Sequence, residues 1–151
     1  MYVKRRKNNG FSLVEVMLSV FMVTCAAAIL TSAMPAATVS RMKGNYLNKA
    51  ANFAQKEVEL MKAQTYSNLI GSKLYAADLI DSATPSLTNT WTCNQTDAAV
   101  GDRVTDILPN GTGTVKVEQI AIELKRVTVT VTWTERGRTR SYAVASLVAN
   151  L

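Results

Sequence analysis

A long uncharged run near the start of the chain dominates its hydrophobic pattern. The 25 residues from Val16 to Ser40 contain no Asp, Glu, Lys or Arg. A helix of about 20 apolar residues, rising ~1.5 Å per residue, is long enough to cross the ~30 Å hydrocarbon core of a bilayer. The pattern therefore predicts a membrane-spanning helix, to which we assign residues 11–40.

Beyond this run the helical pattern continues but becomes amphipathic. From Arg41 to about Ala63, apolar residues recur at steps of three, four and five, with polar residues between them. The apolar set is Met42, Tyr46, Ala50, Phe53, Val58 and Met61. Joined to the span, this stripe predicts one helix from Phe11 to about Thr65, on the order of 80 Å long at ~1.5 Å per residue.

Pro35 lies inside this predicted helix. Its ring removes the backbone hydrogen bond to Thr31 and crowds the preceding turn. We expect a helix kink at Pro35, or local melting between Thr31 and Pro35.

The last third of the chain has the two-residue period of β-strands. Apolar positions 127, 129, 131 and 133 alternate with threonines, and residues 142–148 alternate again after a turn at residues 135–138. An earlier strand is predicted at Thr114–Glu118. Residues 66–113 lose the periodicity and carry turn clusters at 82–86 and 109–113, with a short helical turn at 75–80. We predict an α+β fold, in which residues 41–151 form an amphipathic helix packed on a small antiparallel sheet of three or four strands.

A basic head precedes the span and sets its orientation. It consists of Lys4, Arg5, Arg6 and Lys7, which supply four of the formal net charge of +6. Basic residues favour the cytoplasmic side of a membrane segment. The sequence thus predicts a single-pass membrane protein with its N-terminus in the cytoplasm and residues 41–151 outside it.

Glu15 is the anomaly at the edge of the apolar run. An unpaired carboxylate at the bilayer centre costs roughly 2.5–3.5 kcal/mol, so it needs a partner or a function. Cleavage between Gly10 and Phe11 would remove the basic head, residues 1–10, as a leader. It would also create an α-amine four residues before Glu15, on the same helix face. The amine and the carboxylate could then neutralise each other, within one chain or between neighbours.

The stretch Gly10-Phe11-Ser12-Leu13-Val14-Glu15-Val16, with its basic leader and long apolar helix, resembles the type IV pilin and pseudopilin family. The resemblance implies a prepilin peptidase that cuts after Gly10 and N-methylates Phe11, a role for Glu15 in assembly, and a filament core of bundled helices. It also implies other pilin or pseudopilin subunits and the inner-membrane assembly machinery as partners. The final location would be a cell-surface pilus or a periplasmic pseudopilus. The C-terminal strand pattern is more similar to minor pilins and minor pseudopilins than to major pilins.

Two other interpretations of the N-terminus remain open. A secretory signal cut near Ala26-Ala27-Ala28 conflicts with Glu15, and its apolar run would continue beyond the cleavage site. A plain signal anchor could instead hold an unrelated envelope binding protein or enzyme. Cleavage at the Gly10–Phe11 bond separates these alternatives from a prepilin.

Candidate chemistry in the rest of the chain is sparse. There is no His, and Cys25 in the span cannot bridge Cys93 within one chain, so we expect no disulfide, metal centre, cofactor or catalytic site. Asp97, Asp102 and Asp106 lack the spacing of a compact calcium loop. The hairpin-tip arginines 136, 138 and 140 could contact DNA phosphates, but no aromatic residues interleave them, so we favour a solvated tip.

Overall fold

The computed structural model describes residues 12–96 and 102–150. Its helices are α1 (Leu13–Ala63), a 3-10 turn at Tyr66–Asn68, α2 (Gly71–Ala76) and α3 (Val104–Ile107). Its strands are β1 (Thr90–Thr92), β2 (Gln95–Thr96), β3 (Asp102–Arg103), β4 (Thr112–Ala121), β5 (Leu124–Glu135) and β6 (Arg138–Ala149). By contact density the chain divides into an N-terminal unit, Met1–Lys43, and a C-terminal unit, Gly44–Leu151.

The long helix α1 confirms the predicted helix, and it runs through Pro35 without interruption. The local melting considered for residues 31–35 is therefore wrong. Threonine side chains on either side of Pro35 also bond to the helix: Thr31 Oγ1 donates to the carbonyl of Ala27 at 2.7 Å, and Thr38 Oγ1 donates to the carbonyl of Met34 at 2.8 Å. The kink at Pro35 stays a prediction.

The sheet of the C-terminal unit is antiparallel, as predicted, and has four strands in the order β1-β4-β5-β6, of which β1 was not predicted. β5 and β6 form the expected hairpin through Arg136 and Gly137, whose φ angles are +50° and +75°. Positive φ at both central residues is typical of the type I′ turn, which matches the twist of the flanking strands. A second, two-stranded sheet pairs β2 with β3.

The core of the C-terminal unit lies between the last part of α1 and one face of the large sheet. The helix contributes Ala50, Phe53, Ala54, Val58 and Met61, and β5 contributes Val127, Val129, Val131 and Trp133. Both predicted faces are confirmed except at Met42, which is 53% exposed and lies in the N-terminal unit. The packed stripe begins instead at Tyr46, which is half-buried against the core.

Lys125 ties the segment after α1 to the start of β5. Its ammonium lies 4.3 Å from the centroid of the Tyr66 ring and donates hydrogen bonds to the carbonyls of Tyr66, at 2.9 Å, and Leu69, at 3.4 Å. Partial burial lowers the pKa of Lys125. These contacts hold the start of β5 next to the segment that follows α1.

Two local predictions in the middle of the chain need correction. The helical turn expected at residues 75–80 is α2 at Gly71–Ala76, because Asp78 adopts φ +55° and the N–H of Leu79 closes on the carbonyl of Leu74 at 3.0 Å. A left-handed residue with such a bond ends a helix.

The turn predicted at residues 109–113 is shorter than expected, because Thr112 and Gly113 already belong to β4. Gly113 packs directly on Cys93: a Cβ at this position would lie 2.5 Å from the Cys93 carbonyl oxygen and 2.9 Å from Sγ. The close approach of the two backbones explains why the second residue of β4 is a glycine.

Candidate functional site

Glu15 lies in the first turn of α1. The carbonyl of Ser12 accepts the backbone N–H groups of Glu15, at 3.0 Å, and Val16, at 3.2 Å. A carboxylate in the first turn interacts favourably with the positive end of the helix dipole. The side chain of Glu15 is exposed, so its carboxylate is accessible to an amine or a neighbouring subunit. The predicted cleavage site, Gly10 and Phe11, and the predicted leader charges, Lys4, Arg5, Arg6 and Lys7, lie outside the described residues.

The apolar side chains that follow Glu15 are exposed within the N-terminal unit. Leu13 is 77% exposed, Phe21 63% and Ile29 68%. Within the described part of the chain, α1 is long and apolar enough to cross a membrane, and none of its most apolar stretch is buried. Burial of apolar surface is worth roughly 25 cal/mol per Å², so this helix gains free energy from lipid or from neighbouring helices.

Five hydroxyl side chains in this stretch form hydrogen bonds within the helix itself. A hydroxyl bonds to a carbonyl three or four residues earlier, at 2.7–2.8 Å, in Ser19, Thr24, Thr31, Ser32 and Thr38. Polar groups in a bilayer must find partners inside the protein. These hydroxyls therefore do not oppose insertion into a membrane.

The sequence analysis missed a buried carboxyl in the C-terminal unit, that of Glu57. The residue is 0% exposed, and neither carboxyl oxygen has a hydrogen-bond partner among the described residues. The sequence contains a signal for this burial, because Glu57 lies four residues after Phe53 and four before Met61, within the apolar stripe of α1. The indole Nε1 of Trp133 is likewise buried without a partner within residues 12–96 and 102–150.

Burial controls the protonation of Glu57. Loss of water around the charged form raises its pKa from 4.5 to about 8; Lys56 opposes the rise and Asp81 adds to it. The neighbouring Cys93 thiol is 0% exposed, and burial, Glu57 and Asp81 all raise its pKa. Glu57 is thus neutral at pH 7 and Cys93 is a thiol, so the core contains a protonated acid rather than an ion.

The remaining candidate residues that the structure describes form no additional centre. Arg136, Arg138 and Arg140 are exposed, and Arg140 Nε lies 3.6 Å from a carboxylate oxygen of Glu135, which is the geometry of a solvated hairpin tip. Asp97 lies outside the described residues. Within residues 12–96 and 102–150, no group of three or more His, Cys, Asp or Glu side chains could hold a metal ion.

The comparisons with known proteins agree with the N-terminal geometry. Residues 5–31 match the model of the prokaryotic N-terminal methylation motif, the signature of type IV pilins. The match spans the predicted cleavage site, Glu15 and the exposed apolar part of α1. No curated protein and no solved structure gave a significant match. The chain thus combines a type IV pilin signature with a pilin-like α+β architecture.

Proposed function

We propose that this protein is a structural subunit of a type IV pilus or type II secretion pseudopilus, of the minor class. A prepilin peptidase would cut it between Gly10 and Phe11 and N-methylate Phe11. The observation that carries the proposal is the methylation-motif match at residues 5–31, which falls on a helix whose apolar side chains are uncovered.

In this role the two units of the chain do different work. The first part of α1 holds the subunit in the inner membrane, N-terminus in the cytoplasm, and later joins the filament core. The C-terminal unit, which has its own buried core, forms the outer surface of the filament. The partners would be other pilin or pseudopilin subunits, the prepilin peptidase and the inner-membrane assembly machinery, which supplies the energy for extension. The proposed role is that of a structural subunit and includes no catalytic step.

Processing gives the first test. Mass spectrometry of the membrane-bound or filament form should show a mature N-terminus at Phe11, one methyl group heavier than the free amine. A bulky residue in Gly10→Val should block cleavage and leave the basic leader attached. An intact leader in the parent, or a cut near Ala28, would contradict the proposal and favour a signal-anchored or secreted envelope protein.

Glu15 gives the second test. Its only inexpensive partner in lipid is an opposite charge, which the amine of Phe11 supplies after cleavage. Glu15→Val should still insert and be cleaved, because the span becomes more apolar, but it should be lost from the assembled fraction of native cells. Glu15→Asp keeps the carboxylate and should retain part of the incorporation. Parent-level incorporation of the Val variant would show that Glu15 has no role in assembly.

A further inference from the structure

The chain itself protects one edge of the four-stranded sheet. The hydrogen bonds from the β1 side to β4 involve odd-numbered residues. The N–H of Cys93 donates to the carbonyl of Gly113 at 2.9 Å, and the carbonyl of Asn89 accepts the N–H of Val117 at 3.0 Å. The outward-facing groups belong to Thr90 and Thr92. Their carbonyls accept the N–H groups of Ser86, at 2.9 Å, and Asp81, at 2.8 Å, and the N–H of Thr90 donates to Leu87 at 2.9 Å. This edge is therefore closed to another strand.

β6 forms the opposite edge, and its register reveals which groups face outwards. The N–H of Asn150 donates to the carbonyl of Glu123 at 2.9 Å, and hydrogen-bonded pairs recur at every second residue of an antiparallel ladder. Even-numbered residues of β6 therefore bond to β5. The odd-numbered ones direct their N–H and C=O groups to the free edge, namely Thr139, Ser141, Ala143, Ala145, Leu147 and Ala149.

Beyond Arg138 and Arg140 at its start, the described part of this edge carries none of the usual devices that block strand pairing. Residues 141–149 contain no charge and no proline, and the β5–β6 register has no bulge. Natural sheets shield long edges with charged side chains, prolines, bulges or covering segments, because a free edge is a template for another strand. No hydrogen bond from residues 12–96 or 102–150 reaches the odd-numbered backbone groups of β6.

We propose that β6 pairs with β6 of a second copy of this chain, antiparallel and about a two-fold axis. The charges select this arrangement. Parallel pairing would set Arg138 and Arg140 of the two copies side by side, and directly opposed like charges destabilise a sheet. Antiparallel pairing centred on Ala145 places the arginines of the two copies at opposite ends of the paired strands, with Arg140 opposite the uncharged Asn150. The inference concerns only the C-terminal unit and is independent of the proposed filament role.

The side chains favour a pairing centred on Ala145, in which Ala143 lies opposite Leu147. On the inner face of the sheet, Tyr142 of one copy then lies beside Val148 of the other. Tyr142 and Val144 are only half-buried in the single chain. Next to Val148 is a groove of about 320 Å³, bordered by Lys62, Tyr66 and the end of β6. A tyrosine ring at this position would enter the groove and extend the core across the two copies.

A cross-link tests this register in the full chain, extracted from membranes in mild detergent. In a Cys25→Ala background, Ala145→Cys should form a disulfide-linked dimer on mild oxidation, because position 145 faces itself across the axis. Disulfides need Cα atoms within about 7 Å, so the matched variant Thr130→Cys, on the central strand β5, should cross-link at least about tenfold less. No dimer of the Ala145→Cys variant, equal cross-linking of both variants, or a disulfide to a different protein would overturn the proposal.

A proline substitution separates this edge from association through α1. The N–H of Ala145 faces outwards, so Ala145→Pro removes a donor to the second copy without removing a β5–β6 hydrogen bond, and edge strands tolerate proline at such positions. The variant should keep its thermal unfolding midpoint and lose the native-mass dimer that the parent shows. A dimer that survives in a folded Ala145→Pro variant would place the contact elsewhere and overturn the proposal.

Discussion

Val129→Asp is expected to unfold the C-terminal unit or to lower its stability by about 4 kcal/mol or more, a range reached only when a core is disrupted. Val129 is 0% exposed on the central strand β5, between Val115 of β4 and Val144 of β6. A carboxylate there would have no partner, and a buried unpaired charge is among the most costly changes in a protein. Thermal or denaturant unfolding followed by circular dichroism measures the loss.

Thr130→Asp is the matched control, one residue along the same strand. Thr130 lies on the opposite face of the sheet, between Thr114 and Ala143, and is partly exposed. Its substitution should cost about 1 kcal/mol or less, as is usual for surface positions. Val129→Thr keeps the shape of the side chain and should fall between the two, because it buries only a hydroxyl. Equal losses for the two Asp variants would show that the strand faces are assigned wrongly.

The second large effect is a pH dependence carried by Glu57. Its pKa rises from 4.5 to about 8 on folding, so the folded state binds this proton more tightly than the unfolded state. The stability linked to Glu57 is therefore fully present below pH 4.5 and falls as pH rises, until it levels off above about pH 8. One pKa unit corresponds to about 1.4 kcal/mol, so the whole fall is about 5 kcal/mol.

Glu57→Gln isolates this contribution because the amide does not titrate. The difference in unfolding free energy between Glu57→Gln and the parent should rise in favour of the variant between pH 5 and pH 8. Glu57→Met, which also removes the unpaired oxygens, should show the same trend with higher stability throughout. A flat difference for Glu57→Gln would mean that the carboxyl is ionised in the folded core.

These unfolding measurements are best carried out on a chain that lacks the first, apolar part of α1. The C-terminal unit has a core built from its own segments, from Ala50 in α1 to Val148 in β6. A chain beginning at Gly44 should therefore be sufficient for unfolding measurements without detergent. A chain that starts there and stays unfolded would show that the core depends on the preceding helix.

The sequence by itself determined the elements whose signal is local. The uncharged run from Val16 to Ser40 predicts a spanning helix because the length and polarity of a segment decide its partition into lipid. The alternation in β5 predicts which side chains face the core because successive residues of a strand point to opposite faces. The Gly10-Phe11 junction and Glu15 form a short contiguous motif, and the family match covers that stretch.

Tertiary structure decided the features that depend on partners distant in sequence. β1 has only three residues, and it is a strand because Trp91 pairs with Val115. The spacing of Glu57 from Phe53 and Met61 places it within the apolar stripe of α1, but its burial depends on the sheet docking on that side of the helix. The open edge of β6 is likewise a property of strand order: the same alternating segment would be closed if another strand followed it. Strand pairing and helix docking join residues far apart in the chain, so local periodicity cannot specify them.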